Sequence, residues 1–136
     1  MSPAPKAERR PATVLLVEDE PLVRMLLAEE LRAAGLTVVE AGCASDALSF
    51  LAVDSVDVVV TDIQMPGGMD GLELAREIRR KHPAVPIVLT SGNPPPVNVS
   101  VVGPFLMKPY ALDQAVRVVV ASLRRPEIDD GPFSAR

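Results

Sequence analysis

Tryptophan is absent, and one tyrosine and three phenylalanines are the only aromatic side chains among 136 residues, so platforms for stacking nucleobases are scarce. The lone cysteine, Cys43, has no partner for an internal disulfide. Without a CxxC spacing or a histidine nearby in sequence, it reads as an ordinary thiol. Acidic side chains outnumber basic ones by 18 to 14, a formal charge of -4, so the electrostatic footprint of a nucleic-acid binder is missing. Direct DNA binding is therefore not expected. Apolar runs reach only a few residues, too short to span a bilayer, and Met1-Ser2-Pro3-Ala4-Pro5 lacks the basic-then-apolar order of a secretion signal. These absences point to a cytoplasmic protein with no membrane partner, and the length suits one domain rather than a multidomain enzyme.

What the chain does have is a regular alternation. Residues 1–11 and 125–136 are rich in proline and polar side chains and read as flexible tails, leaving one domain over 12–124. Inside it, Thr13 to Val17 reads as a strand and Pro21 to Ala34 as a helix, with Val23, Leu27 and Leu31 on one face and Gly35 as its stop. Leu36 to Val39 starts a second strand, and Ala44, Leu48 and Leu51 mark a short second helix. Val56 to Val60 gives a third strand, Asp70 to Lys81 a third helix, and Val85 to Leu89 a fourth strand. A brief strand near Phe105-Leu106 precedes a last helix whose stripe is Leu112, Ala115, Val116, Val119 and Leu123. Nearly all-apolar strands separated by helices imply an α/β fold, a doubly wound five-stranded parallel sheet with helices on both faces.

Polar residues stand directly after these strands: Glu18-Asp19 after the first, Asp62 after the third, Thr90-Ser91 after the fourth and Lys108 after the fifth. In a parallel sheet all carboxyl ends share one edge, where such sheets bind ligands, so these residues converge there. Singly, each has a plainer explanation. Glu18-Asp19 could cap the following helix, Asp62 could be a turn residue before Met65-Pro66-Gly67-Gly68, Thr90-Ser91 a strand end and Lys108 a surface lysine. His82, at a helix end before Pro83, reads as a dipole partner. Jointly, the plain explanations must all hold at the right strand ends. Carboxylates about 4 Å apart repel by ~4 kcal/mol at an effective dielectric near 20, so a cation belongs among them. An all-oxygen acidic site without thiolate or histidine suits Mg2+ before Zn2+. Asp62 is then the candidate acceptor of a phosphoryl group.

Val14 to Glu20, Val60 to Pro66, Met69 to Glu73, Pro86 to Gly92 and Lys108-Pro109-Tyr110 resemble, in order and spacing, the CheY-like receiver domain of two-component response regulators, over residues 12–124. The resemblance implies the strand order 2-1-3-4-5 and a set of roles. Asp62 would accept a phosphoryl group from a sensor histidine kinase or a histidine phosphotransfer protein. Glu18, Asp19, Asp62 and the backbone carbonyl of Gln64 would hold Mg2+, with Mn2+ as a substitute. Lys108 would contact a phosphoryl oxygen across a cis bond to Pro109, and Ser91, or alternatively Thr90, would supply the switch hydroxyl. Phe105 would be the aromatic that turns inward behind that hydroxyl on activation, its inward state favoured because it lacks tyrosine's hydroxyl.

Only 16 residues separate Ser91 from Lys108, and they open Gly92-Asn93-Pro94-Pro95-Pro96, so the fourth helix of the family pattern is expected to be shortened or absent. The expected function is a stand-alone receiver that switches contact with an unknown downstream protein and catalyses only its own phosphoryl transfer and dephosphorylation. One alternative is a phosphoryl shuttle or sink, or the receiver segment of a hybrid histidine kinase. Another is an aspartyl-phosphate phosphohydrolase, which needs a second acid two residues beyond Asp62, where Gln64 stands.

Overall fold

The computed structural model describes residues 10–94 and 99–124. The expected tail at 125–136, most of the tail at 1–11, and Pro95-Pro96 lie outside the described residues.

Five strands, β1 (Thr13–Val17), β2 (Thr37–Ala41), β3 (Val58–Asp62), β4 (Ile87–Ser91) and β5 (Phe105–Met107), pair in parallel in the order β2-β1-β3-β4-β5. Helices α1 (Pro21–Ala33) and α4 (Leu112–Leu123) cover one face, and α2 (Ala44–Leu51) and α3 (Gly71–Lys81) the other. The α1 and α4 face buries Leu27, Leu31, Ala115 and Val119 on Val14, Leu16, Val58 and Val60; the other buries Leu51, Leu74 and Ile78 on Leu15, Val59, Ile87 and Leu89. Strands buried on both sides explain the unbroken aliphatic runs, each fully buried Val, Leu or Ile being worth about 1.5–3 kcal/mol. No helix among the described residues is long and apolar enough to cross a membrane.

Local chemistry sets the helix ends. Pro21 opens α1 at a position whose N–H needs no partner, and Gly35, at φ 94°, ends the turn after it. Asp70 and Glu73 form a capping box on α3: Glu73 N–H donates to Asp70 at 2.8 Å, and Asp70 N–H to Glu73 at 3.1 Å. At its other end, where His82 is the C-cap, the Arg79 guanidinium donates to the carbonyls of Pro83, Val85 and Val102 at 3.1, 3.2 and 2.7 Å.

Two strands are displaced from the sequence reading by two residues. Strands β3 and β4 each begin and end two residues later than expected, so Asp62, Thr90 and Ser91 are strand residues rather than followers of strands. Their backbones stay in the ladder, Asp62 opposite Thr90 and Ser91 opposite Met107, because pairing uses main-chain groups whatever the side chain. Among the described residues, the connection between β4 and β5 holds one 3-10 turn, Val99–Val101, in agreement with the shortened helix.

Candidate functional site

The carboxyl ends of β1, β3, β4 and β5 bring the acids, the hydroxyls and the lysine to one edge. Glu18, Asp19 and Asp62 each place a carboxylate oxygen within 4.8 Å of the others. Glu18 and Asp62 are buried, at 2% and 4% exposure, and Asp19 is half-buried. The helix-cap explanation for Glu18 and Asp19 fails: the N-cap of α1 is Glu20, and it makes no side-chain capping bond. Asp62 is the last residue of β3 and its carboxylate does accept the Gln64 backbone N–H as a turn aspartate would, but a turn role alone does not account for its burial against Lys108.

Lys108 answers this negative charge. Its Nζ lies 2.8 Å from Glu18 Oε1, 3.0 Å from Asp62 Oδ2 and 3.8 Å from Glu20 Oε1. Burial pulls the ammonium down, but its hydrogen bonds to Glu18 and Asp62 and their charges outweigh that, and its pKa is raised. Glu18 is held above the ordinary carboxylate value, first by burial and then by the charge of Asp62, against the hydrogen bonds from Lys108 and the Glu20 amide. One ammonium among three carboxylates leaves a net negative site of oxygen donors, which fits a hard divalent cation. The peptide bond from Lys108 to Pro109 is cis.

The hydroxyl of Ser91 joins the site through Gln64. Ser91 Oγ donates to Gln64 Oε1 at 3.0 Å and accepts from the Asn93 backbone N–H at 3.1 Å, while the Gln64 backbone N–H donates to Asp62 Oδ1 at 3.2 Å. Thr90 is buried in β4, and its carbonyl accepts the Ile63 amide at 2.8 Å. Phe105, in β5, is half-buried against the core shared with α3. Open clefts flank the edge, one of about 560 Å³ past Gln64, Met65, Pro66 and Pro94, another of about 450 Å³ between Glu20, Leu26, Pro109 and Tyr110.

The sequence reading missed two contributors. Gly71, the first residue of α3, lies so close to the Asp62 carbonyl that a Cβ there would overlap it, and its amide donates to Ile63 O at 2.8 Å. Its place in the Met69-Asp70-Gly71 motif was the available signal. Arg24 donates to the carbonyl of Glu18 at 2.7 Å; its spacing of six residues from Glu18, one turn into a helix, was a weak hint.

Comparison with known proteins agrees with this fold. The model of the response regulator receiver domain matches residues 14–119. The chain is 36% identical over 120 residues to the C4-dicarboxylate transport transcriptional regulatory protein DctD of Rhizobium meliloti, covering 85% of this chain and 25% of DctD. It is 38% identical over 125 residues to the sensor kinase CckA of Brucella abortus, covering 85% of this chain and 13% of CckA. The chain thus spans only a minor part of these two relatives. Among solved structures, the response regulator TrrA of Thermotoga maritima, in complex with Mg2+-BeF, is 32% identical with a TM-score of 0.75, covering 82% of this chain and 98% of that one. The receiver domain of the hybrid histidine kinase CckA is 31% identical with a TM-score of 0.70, covering 82% and 99%.

Proposed function

Because this chain belongs to the response regulator receiver domains of two-component signalling, we propose that Asp62 accepts a phosphoryl group from a phosphohistidine on a sensor kinase or phosphotransfer protein. The observation that carries this reading is the meeting of Glu18, Asp19, Asp62 and Lys108 at one sheet edge. An Asp62 carboxylate oxygen forms the new bond to phosphorus as the bond from phosphorus to the imidazole nitrogen breaks, and the imidazole keeps the electron pair. Glu18, Asp19, Asp62 and the Gln64 carbonyl would hold Mg2+, which supplies charge that offsets the negative oxygens of the group in transfer. Lys108 binds one of those oxygens, and Ser91 moves from Gln64 to another, with Phe105 filling the space behind it.

The chain acts as a cytoplasmic switch rather than a metabolic enzyme: it catalyses its own phosphoryl transfer and dephosphorylation, and its output is a changed contact with a downstream protein. A second reading, a receiver segment within a longer sensor kinase, draws support from the CckA likeness. The mass of the native polypeptide in its source cells separates the two. The central experiment incubates the chain with Mg2+ and a small acyl phosphate and reads its intact mass. Wild type gains one phosphoryl group and Asp62→Asn gains none; equal labelling of both removes Asp62 from the role.

A further inference from the structure

The turn between β1 and α1 carries two of the three clustered acids, and a guanidinium outside the cluster grips its backbone. Arg24 of α1 donates from Nη1 to the carbonyl oxygen of Glu18 at 2.7 Å and from Nε to Glu40 Oε1 at 3.2 Å. Glu40, in β2, also meets Arg32 of α1 at 3.2 Å, so the far side of the fork is itself held. The Glu18 amide donates to the carbonyl of Ala41 at 3.0 Å. Both main-chain polar groups of Glu18 are therefore engaged, the N–H by β2 and the C=O by Arg24. Gly42 leaves the guanidinium room: a Cβ there would stand 3.3 Å from Nη1.

We propose that Arg24 is a positioning residue for divalent-cation binding. The Glu18 carbonyl and the Asp19 amide share one rigid peptide plane, so holding the carbonyl sets the direction in which the Asp19 backbone leaves Glu18. Arg24 thereby fixes how the two carboxylates project relative to each other. A fork that bonds a carbonyl and a carboxylate at once is a task for guanidinium, which an ammonium performs less well. The inference rests on Glu18 and Asp19 being cation ligands, as proposed above.

Charge and position act with opposite signs here, which makes the proposal testable. Removing a positive group from the neighbourhood of a cation site, taken alone, tightens cation binding. Releasing a ligand-bearing backbone loosens it, typically by 10-fold or more where the support of a metal ligand is lost.

The test titrates MgCl2 into the full chain by calorimetry for wild type, Arg24→Ala and Arg24→Lys, with thermal unfolding recorded with and without Mg2+. Arg24→Ala is expected to bind Mg2+ about 10-fold more weakly despite the loss of a positive charge. Arg24→Lys falls between it and wild type, and the Mg2+-induced rise in Tm shrinks in the same order. Binding by Arg24→Ala as tight as wild type or tighter overturns the proposal, whatever happens to the metal-free Tm. Should Arg24→Ala not fold, wild-type affinity in Arg24→Lys overturns it. Failure of the wild-type chain to bind Mg2+ overturns instead the assignment of the acids as ligands.

Discussion

Ser91 donates its hydroxyl hydrogen to Gln64 Oε1 at 3.0 Å, while the Gln64 backbone N–H donates to Asp62 Oδ1 at 3.2 Å, so a single residue ties the proposed switch hydroxyl to the proposed acceptor. Ser91 reaches a group on Asp62 only by releasing this partner.

Replacing Gln64 with Met keeps the side chain long and removes the acceptor. A hydrogen bond of this kind is worth a net ~1 kcal/mol, so Gln64→Met should bind beryllofluoride about fivefold more tightly in the presence of Mg2+. Ser91→Ala should bind it more weakly. Calorimetry or NMR titration reads both, and unchanged binding by Gln64→Met would show that the bond restrains nothing.

Glu18 makes the metal-free protein sensitive to pH. Its folded-state pKa is raised above 4.5, first by burial, so its contribution to stability is full below 4.5 and is lost as pH rises through the folded value. Denaturant unfolding across that window in chelator should show the loss in wild type and a flatter profile in Glu18→Gln. Glu18→Gln should also be the more stable at neutral pH and the poorer binder of Mg2+. Parallel pH profiles would remove Glu18 as the cause.

Gly71→Ala forces a methyl group into the Asp62 carbonyl, so α3 or the end of β3 must shift. Overpacking of this kind costs about 1–3 kcal/mol, and phosphoryl labelling of Asp62 should fall with it. Gly68→Ala is the control: nothing lies within 4 Å of a Cβ there, and its stability should stay within about 0.5 kcal/mol of wild type. Equal denaturation midpoints for the two variants would refute the close approach.

Tyr110 offers a built-in probe. It is the single tyrosine in a chain without tryptophan, and burial, followed by the charge of Glu18, pushes its phenol up to about 12. The stability tied to this phenol is full below pH 10 and is lost as pH rises through about 12. Ultraviolet titration of the folded chain should find a midpoint near 12; one near 10 would place the ring in open solvent.

Much of this was legible in the residues. Aliphatic runs alternating with helical stripes gave the strands and helices, and the shared direction of parallel strands was enough to gather Asp62 and Lys108 although 46 positions separate them. Strand ends were less legible, because Asp62 and Ser91 look like loop residues while their main chains still pair. Contacts made by long side chains were beyond reach: the Gln64 to Ser91 bond spans 27 positions and depends on rotamers that no periodicity encodes. Gly71 stood in plain view as part of a motif, but the reason for glycine there lies in the distance between α3 and β3.

The clasp made by Arg79 has a mechanical consequence. By joining the carbonyls of Pro83 and Val85 to that of Val102, it welds the exit of α3 to the approach to β5. Helix α3 is thus pinned at both ends, by the close fit of Gly71 on the Asp62 carbonyl and by the Arg79 bond to the segment leading into Phe105.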